Sequence, residues 1–190
     1  MQRLQDEFYT ICHDVAKQLG TGHSEAVYQK ACGQFLQANR VSHHLEQHVP
    51  VVVTVPTVPT APSVPTSPNP PASQPQVFHI GDERIDILMN DNGNVHVAEL
   101  KAIGAKVTPA KVTPQLQLSA SHMQLLKYVR LLQKDATYQS QLTTGYVVNF
   151  RQHATHGAPH DMTVEFDVYD VLQQQWHFGY TPDVLVNVVQ

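Results

Sequence analysis

Nine of the chain's thirteen prolines fall between positions 50 and 75: Pro50, Pro56, Pro59, Pro62, Pro65, Pro68, Pro70, Pro71 and Pro75. A stretch this rich in proline lacks ladder donors and favours extended polyproline conformations. It cannot form a central strand, so the core has to be assembled from the sequence on either side. Residues 54–76 therefore read as a proline-rich insertion at a hairpin tip, exposed to solvent, with a docking arm for a protein partner as the other reading. The chain has 190 residues, 42% of them apolar, which is enough for one packed core. The expected organisation is a single domain over 1–190 that carries this insertion and a C-terminal extension at 151–190.

Before the insertion the apolar spacing is helical. Leu4, Phe8, Ile11 and Val15 share one face, and Gly20-Thr21-Gly22 supplies the stop. A second helix starts near Thr21 to Ser24, either of which can cap it, and runs to about Asn39 with Tyr28, Ala31 and Phe35 on its inner face. Val49 to Val55 is a β-branched run and reads as a strand. His43, His44 and His48 lie on a loop approaching it.

After the insertion, Val77 to Ile80 reads as a short strand and Arg84 to Met89 as another, with Ile85, Ile87 and Met89 on one face and Asp86 and Leu88 on the other. Asn90-Asp91-Asn92-Gly93-Asn94 is a hairpin turn, and Val95 to Ile103 returns. A tandem Ala-Lys-Val-Thr-Pro repeat at 105–114 is too short for a solenoid unit and reads as a loop duplication. A third helix is expected over Gln115 to Lys134, with Leu118, His122, Leu125, Val129 and Leu132 on one face. Gly145 to Phe150 follows as a strand, and Met162 to Val168 and Val184 to Val189 as edge strands. A hairpin, a crossover helix and a further strand imply an α/β fold with a mixed β-sheet flanked by helices.

This order places chemistry at one point. Asp86 and Glu99 sit on the two strands of a hairpin whose turn lies about midway between them, so they come near each other across the ladder. Glu99 and Lys101 are two apart and point to the same face. Converging carboxylates are costly unless a cation neutralises them, and both supply the oxygen ligands that suit Mg²⁺. A lysine beside them can hold or deprotonate an attacking water and stabilise charge developing on a phosphoryl centre. In isolation, an exposed aspartate and a surface Glu-Lys pair explain the same pattern.

The surrounding motifs decide between the two. Gly22-His-Ser-Glu25-Ala-Val-Tyr28, Arg84-Ile-Asp86-Ile-Leu, Ala98-Glu99-Leu-Lys101-Ala, Gln124-Leu-Leu-Lys-Tyr128 and Gly145-Tyr-Val-Val-Asn149-Phe150 occur in this order. The set resembles the GxxExxY family of the PD-(D/E)XK nuclease superfamily, over about Leu4 to Phe150. The resemblance implies a restriction-endonuclease-like core and hydrolysis of nucleic acid by a site that uses Mg²⁺ or Mn²⁺. Catalytic residues would be Glu25, Asp86, Glu99 and Lys101. Asp86, Glu99 and Glu25 would hold the metal, while Tyr28, Gln124 and Tyr128 would meet substrate. Glu25, in the first turn of its helix, is either a third acidic ligand or a water-orienting group. Tyr28 either bonds a carboxylate or phosphate, or is a core aromatic with its hydroxyl satisfied. The alternative function is a catalytically idle nuclease fold serving as a binding or structural component of a larger assembly.

Charge fits a phosphate-binding role. The net charge is −4, yet Leu100 to Lys134 holds no Asp or Glu and six of the twelve basic residues: Lys101, Lys106, Lys111, Lys127, Arg130 and Lys134. DNA is expected ahead of RNA. Cys12 and Cys32 are too few for a disulfide scaffold or a four-cysteine zinc site and read as ordinary thiols. His153, His156 and His160 lack cysteines and read as polar turn residues rather than a Zn²⁺ site. His122 reads as a satisfied core histidine. No apolar run reaches the length of a bilayer span, and the first residues lack a signal-peptide pattern, so the expectation is a soluble intracellular protein with no membrane partner.

Overall fold

The computed structural model describes residues 2–55, 76–107, 118–152 and 163–182. The proline-rich 57–74, most of the tandem repeat, the histidines at 153, 156 and 160, and the strand expected at 184–189 lie outside them. Nine elements follow in chain order: α1 (Gln2–Leu19), α2 (Glu25–Ala38), β1 (Ser42–Val55), β2 (Gln76–Asp91), β3 (Asn94–Lys101), α3 (Ala120–Leu132), β4 (Leu142–Phe150), β5 (Val164–Asp170) and β6 (Gln175–His177). The strands form one six-stranded mixed sheet in the order β1-β2-β3-β4-β5-β6. Every neighbouring pair is antiparallel except β3 with β4, the parallel pair bridged by α3.

Helices cover both faces. On one face Leu4, Phe8, Ile11 and Val15 of α1 and Tyr28, Cys32 and Leu36 of α2 pack on Ile87, Met89, Ala98, Leu100, Tyr146, Val148, Phe150 and Phe166. On the other, Leu125, Tyr128, Val129 and Leu132 of α3 pack on Ile85, Leu88, Val95, Val97, Leu142 and Val147. Period-two alternation along β3 divides the strand between these cores, sending Ala98 and Leu100 one way and Val97 the other.

Several elements differ from the sequence-based reading. Val77–Ile80 and Arg84–Met89 belong to one strand, because Gly81 is extended and the ladder passes through it with a register shift between Val51 and Val52. β1 begins at Ser42 rather than Val49, so His43, His44 and His48 are strand residues, not loop residues. α3 begins at Ala120, where Ser119 caps it, and β3 ends at Lys101. Ile85 joins Leu88 on the α3 side instead of following Ile87 and Met89. It lies next to Asp86, opposite which Glu46 of β1 has φ 55° and drops out of the pairing. The inner face of α2 is Tyr28, Gln29, Cys32, Gly33 and Leu36, with Ala31 and Phe35 at its margin. β5 is not an edge, since β6 pairs outside it, and Phe166 and Val168 are core residues. That part of 151–190 is integral to the sheet.

The expected turn is present. Asn92 and Gly93 both have positive φ, at 52° and 84°, as a two-residue hairpin requires. Beyond the helices the β1–β2 ribbon carries exposed Val52, Val53, Val77, Phe78 and Ile80. Among the described residues no helix is long and apolar enough to cross a membrane.

Candidate active site

β2 and β3 are paired from Asp91↔Asn94 to Ile87↔Ala98 and then part. The next residues across that opening are Asp86 and Glu99. Asp86 Oδ2 accepts the Leu100 N–H at 2.8 Å, so a carboxylate replaces the ladder partner that the opening removes. The other side of the Asp86 peptide is held by Gln29 of α2, whose Nε2 donates to the Asp86 carbonyl at 2.8 Å. Both bonds fix Asp86 where the sheet divides.

Glu99 is fully buried, with its side chain at 0% exposure. Its Oε1 lies 2.5 Å from Lys101 Nζ in a tight ion pair, and the Asp86 carboxylate acts on it from the neighbouring strand. Lys101 Nζ also reaches Glu25 Oε2 at 3.4 Å. Glu25, Asp86, Glu99 and Lys101 thus converge from three elements.

The electrostatics follow. Burial, then the charge of Asp86, push the Glu99 carboxyl up to about 7 against the pull of Lys101. Asp86 and Glu25 are raised too, each chiefly by burial; the Leu100 N–H opposes the shift at Asp86 and the Lys101 ammonium opposes it at Glu25. Burial acts to lower Lys101, but Glu99, Glu25 and Asp86 outweigh it and the ammonium is raised. The four groups form a three-acid, one-base set, with Arg84 adding a weaker positive influence on Asp86 and Glu25.

The two helices place the remaining residues differently. Tyr128 Oη receives a bond from Gln124 Nε2 at 2.5 Å, and Glu99, Asp86 and Glu83 all act on the phenol electrostatically. Burial first, with those charges, raises it despite the Gln124 bond. Gln124 and Tyr128 therefore stand near the acids, but Tyr128 is buried in the α3-side core and its hydroxyl meets Gln124, so it packs helix to sheet. Tyr28 does not join them: it is buried, stacked on Phe150 with centroids 4.5 Å apart, and its hydroxyl donates to the Gly20 carbonyl at 2.7 Å. Its place matches the core-aromatic reading.

Tyr28 belongs to a lock that no motif revealed. Gln152 Nε2 donates to Tyr28 Oη at 3.1 Å and to the Phe150 carbonyl at 2.8 Å, and its Oε1 accepts the Gly22 N–H. Gly22 has φ 95°, a conformation that favours glycine. The glycine turn is thereby tied to the end of β4, and Glu25 starts α2 immediately after the Ser24 N-cap. Gln29 and Gln152 are polar residues that sequence reasoning missed, and Asn149, which it met only as part of a motif, has a structural role. Asn149 is buried, accepts the Ile103 N–H at 3.1 Å and donates to the Ala105 carbonyl at 3.0 Å, fixing the chain as it leaves Lys101.

Outside the site, His122 is buried between Ser119 Oγ, 2.6 Å from Nδ1, and Asp167 Oδ2, 3.0 Å from Nε2, with Trp176 edge-on at 4.7 Å. It is a satisfied core histidine that pins the start of α3 to β5.

The residues present fit a divalent cation. The Glu99 and Asp86 carboxylates, neighbours at the opening of the sheet, are the hard oxygen donors such an ion takes. Among the described residues no group of three or more His, Cys, Asp or Glu side chains is placed to hold a metal ion, so Glu25 does not stand with Asp86 and Glu99 as the three-ligand set expected from sequence. Mg²⁺ does not require one, since it keeps several waters and takes one or two carboxylates. No protein-family model matches this sequence, and no curated protein aligns with it.

Proposed function

We propose that the chain hydrolyses phosphodiester bonds of nucleic acid with a divalent cation, Mg²⁺ or Mn²⁺, held by Asp86 and Glu99, with Glu25 at the edge of its coordination. The observation that carries this reading is the gathering of three carboxylates, one of them fully buried, around a single lysine at the point where the sheet opens. Lys101 offsets part of that negative charge, and a divalent cation would offset the rest. A restriction-endonuclease-like core, as the GxxExxY resemblance implies, agrees with the mixed sheet and its crossover helix.

When bound, the cation polarises a phosphoryl oxygen and acidifies a water. Asp86 orients that water from its anchored position. Lys101 places positive charge where the phosphorane develops charge, a contribution realised mainly in the transition state. Gln124 would offer its amide to the substrate from α3, held in place by its bond to the buried Tyr128 hydroxyl. Replacing Asp86 with Ala is expected to abolish metal binding and cleavage together. Lys101→Ala is expected to keep metal affinity and lose about 10²–10³ in rate. Calorimetric titration with Mg²⁺ and Mn²⁺, and cleavage of single- and double-stranded DNA and RNA, test both. A wild-type chain that binds neither ion and cuts nothing ends the enzyme reading.

One observation favours the idle-fold alternative. Lys101 already stands between Glu99 and Glu25 and neutralises them from within. A closed ion pair of this kind suits a fold retained for binding alone. The same titration separates the two readings.

A further inference from the structure

Two cations flank the acids, and each is already occupied by a glutamate. Arg84, two residues before Asp86, meets Glu46 of β1 at 3.5 Å, and Lys127 of α3 meets Glu83 of β2 at 2.5 Å. Arg84 acts electrostatically on both Glu25 and Asp86, and Glu83 acts on Tyr128, so both pairs border the site. Arg84 and Lys127 are 58% and 54% exposed, open to an incoming ligand.

Glu46 is the unusual member. It lies inside β1 with φ 55°, a left-handed conformation that is unfavourable for any residue with a Cβ, and the register with β2 skips it opposite Asp86. An exposed ion pair gains too little to explain such a conformation. Backbone held this way concentrates at functional sites. Its effect here is to present a carboxylate to Arg84 from a strand directly beside the candidate metal ligand.

We propose that Arg84 and Lys127 are the cations that grip the phosphates of a DNA strand entering the site, and that Glu46 and Glu83 are resident stand-ins for phosphate which that strand displaces. The inference rests on the nuclease reading above. The guanidinium fork matches a phosphate as well as it matches a carboxylate, so the exchange keeps the charge pairing. Solvent-exposed pairs are weakly held, so displacement is easy. The glutamates also repel a polyanion, so a strand that does not fill both positions is turned away. They set a threshold for entry as well as an affinity.

The test is fluorescence anisotropy with a short fluorescein-labelled duplex DNA, in Ca²⁺ to hold the complex without turnover. It uses the full-length chain and the variants Arg84→Gln, Lys127→Gln, Glu46→Gln, Glu83→Gln and the double variant Arg84→Gln/Glu46→Gln. Circular dichroism melts establish that each is folded. Arg84→Gln and Lys127→Gln should weaken binding, each lowering the salt slope by about one. Glu46→Gln and Glu83→Gln should each tighten binding about two- to fivefold, the fold-change equivalent of releasing an exposed pair. The gain from Glu46→Gln should vanish when Arg84 is already Gln, since the two act as one unit. Unchanged affinity in Glu46→Gln, or the same gain without Arg84, overturns the proposal while wild-type binding leaves the nuclease reading intact. A wild-type chain that binds no duplex, with or without Ca²⁺, removes both.

Discussion

Glu99 ties the chemistry to stability. Burial and Asp86 push its carboxyl from 4.5 up to about 7, so the folded chain holds this proton to a higher pH than the unfolded chain does. Its contribution is fully present below about 4.5 and is lost as pH rises through about 7. The loss is on the order of 3 kcal/mol. His96 works in the opposite sense. Burial lowers it from 6.5 to about 4, so its contribution is present above 6.5 and is lost as pH falls through about 4. The clean observable is therefore a difference curve. In metal-free buffer, Glu99→Gln should gain stability over the wild type as pH rises from 4.5 to 7, and Mg²⁺ should erase that gain by stabilising only the wild type. Denaturant melts across this window measure it, and a flat difference curve would contradict the burial argument. Tyr28→Phe makes a second test at this scale. Removing the hydroxyl that Gly20 and Gln152 share should cost about 1 kcal/mol. Cleavage should fall only as far as Glu25 loses its placement.

Among the elements, α3 is fixed twice. Its start is pinned by Ser119, His122 and Asp167, and its middle rests on Gly145, where an added Cβ would meet Leu125 Cδ2 at 2.9 Å. His122→Ala should lower stability by about 2–4 kcal/mol, since it removes a buried bond to a carboxylate and opens space under Trp176. Gly145→Ala should cost about 1–3 kcal/mol and lift α3, weakening whatever Gln124 and Tyr128 contribute. Equilibrium unfolding, with cleavage assays beside it, measures both effects. Much of this level could be read from sequence. The face of α1 shows in Leu4, Phe8, Ile11 and Val15, and the turn shows in Asn92-Gly93. β6 was hidden because Gln175–His177 is only three residues long, too short for its alternation to stand out. The single strand β2 looked like two because Gly81 and Asp82 resemble a turn until β1 pairs with them.

For the whole molecule, the acids were legible because a hairpin and period-two alternation are local rules, and they put Asp86, Glu99 and Lys101 on one face. The amides were not. Gln29 meets Asp86 across 57 residues and Gln152 meets Tyr28 across 124, so nothing near either one in sequence signals its partner. The ladder of β1 and β2 continues to Val55↔Gln76, so the ends of the proline-rich segment are already side by side. Deleting residues 57–74 should leave the thermal midpoint nearly unchanged, because a short turn closes that gap with little change in loop entropy. Calorimetry would expose a core contact as a large fall. The lone parallel pairing of β3 with β4 has a kinetic consequence. Strands β1 to β3 and β4 to β6 are each joined by antiparallel neighbours, but uniting the two halves must close the chain from Lys101 to Leu142. That closure is the most distant event in the sheet, and distant pairings form slowly. The acids lie on the first half and on α2, while Gln124 and Tyr128 arrive with the second. During refolding the chain should therefore pass through a period in which its carboxylates are assembled but still open to water, and pulse-labelled amides of β4 should gain protection after those of β2.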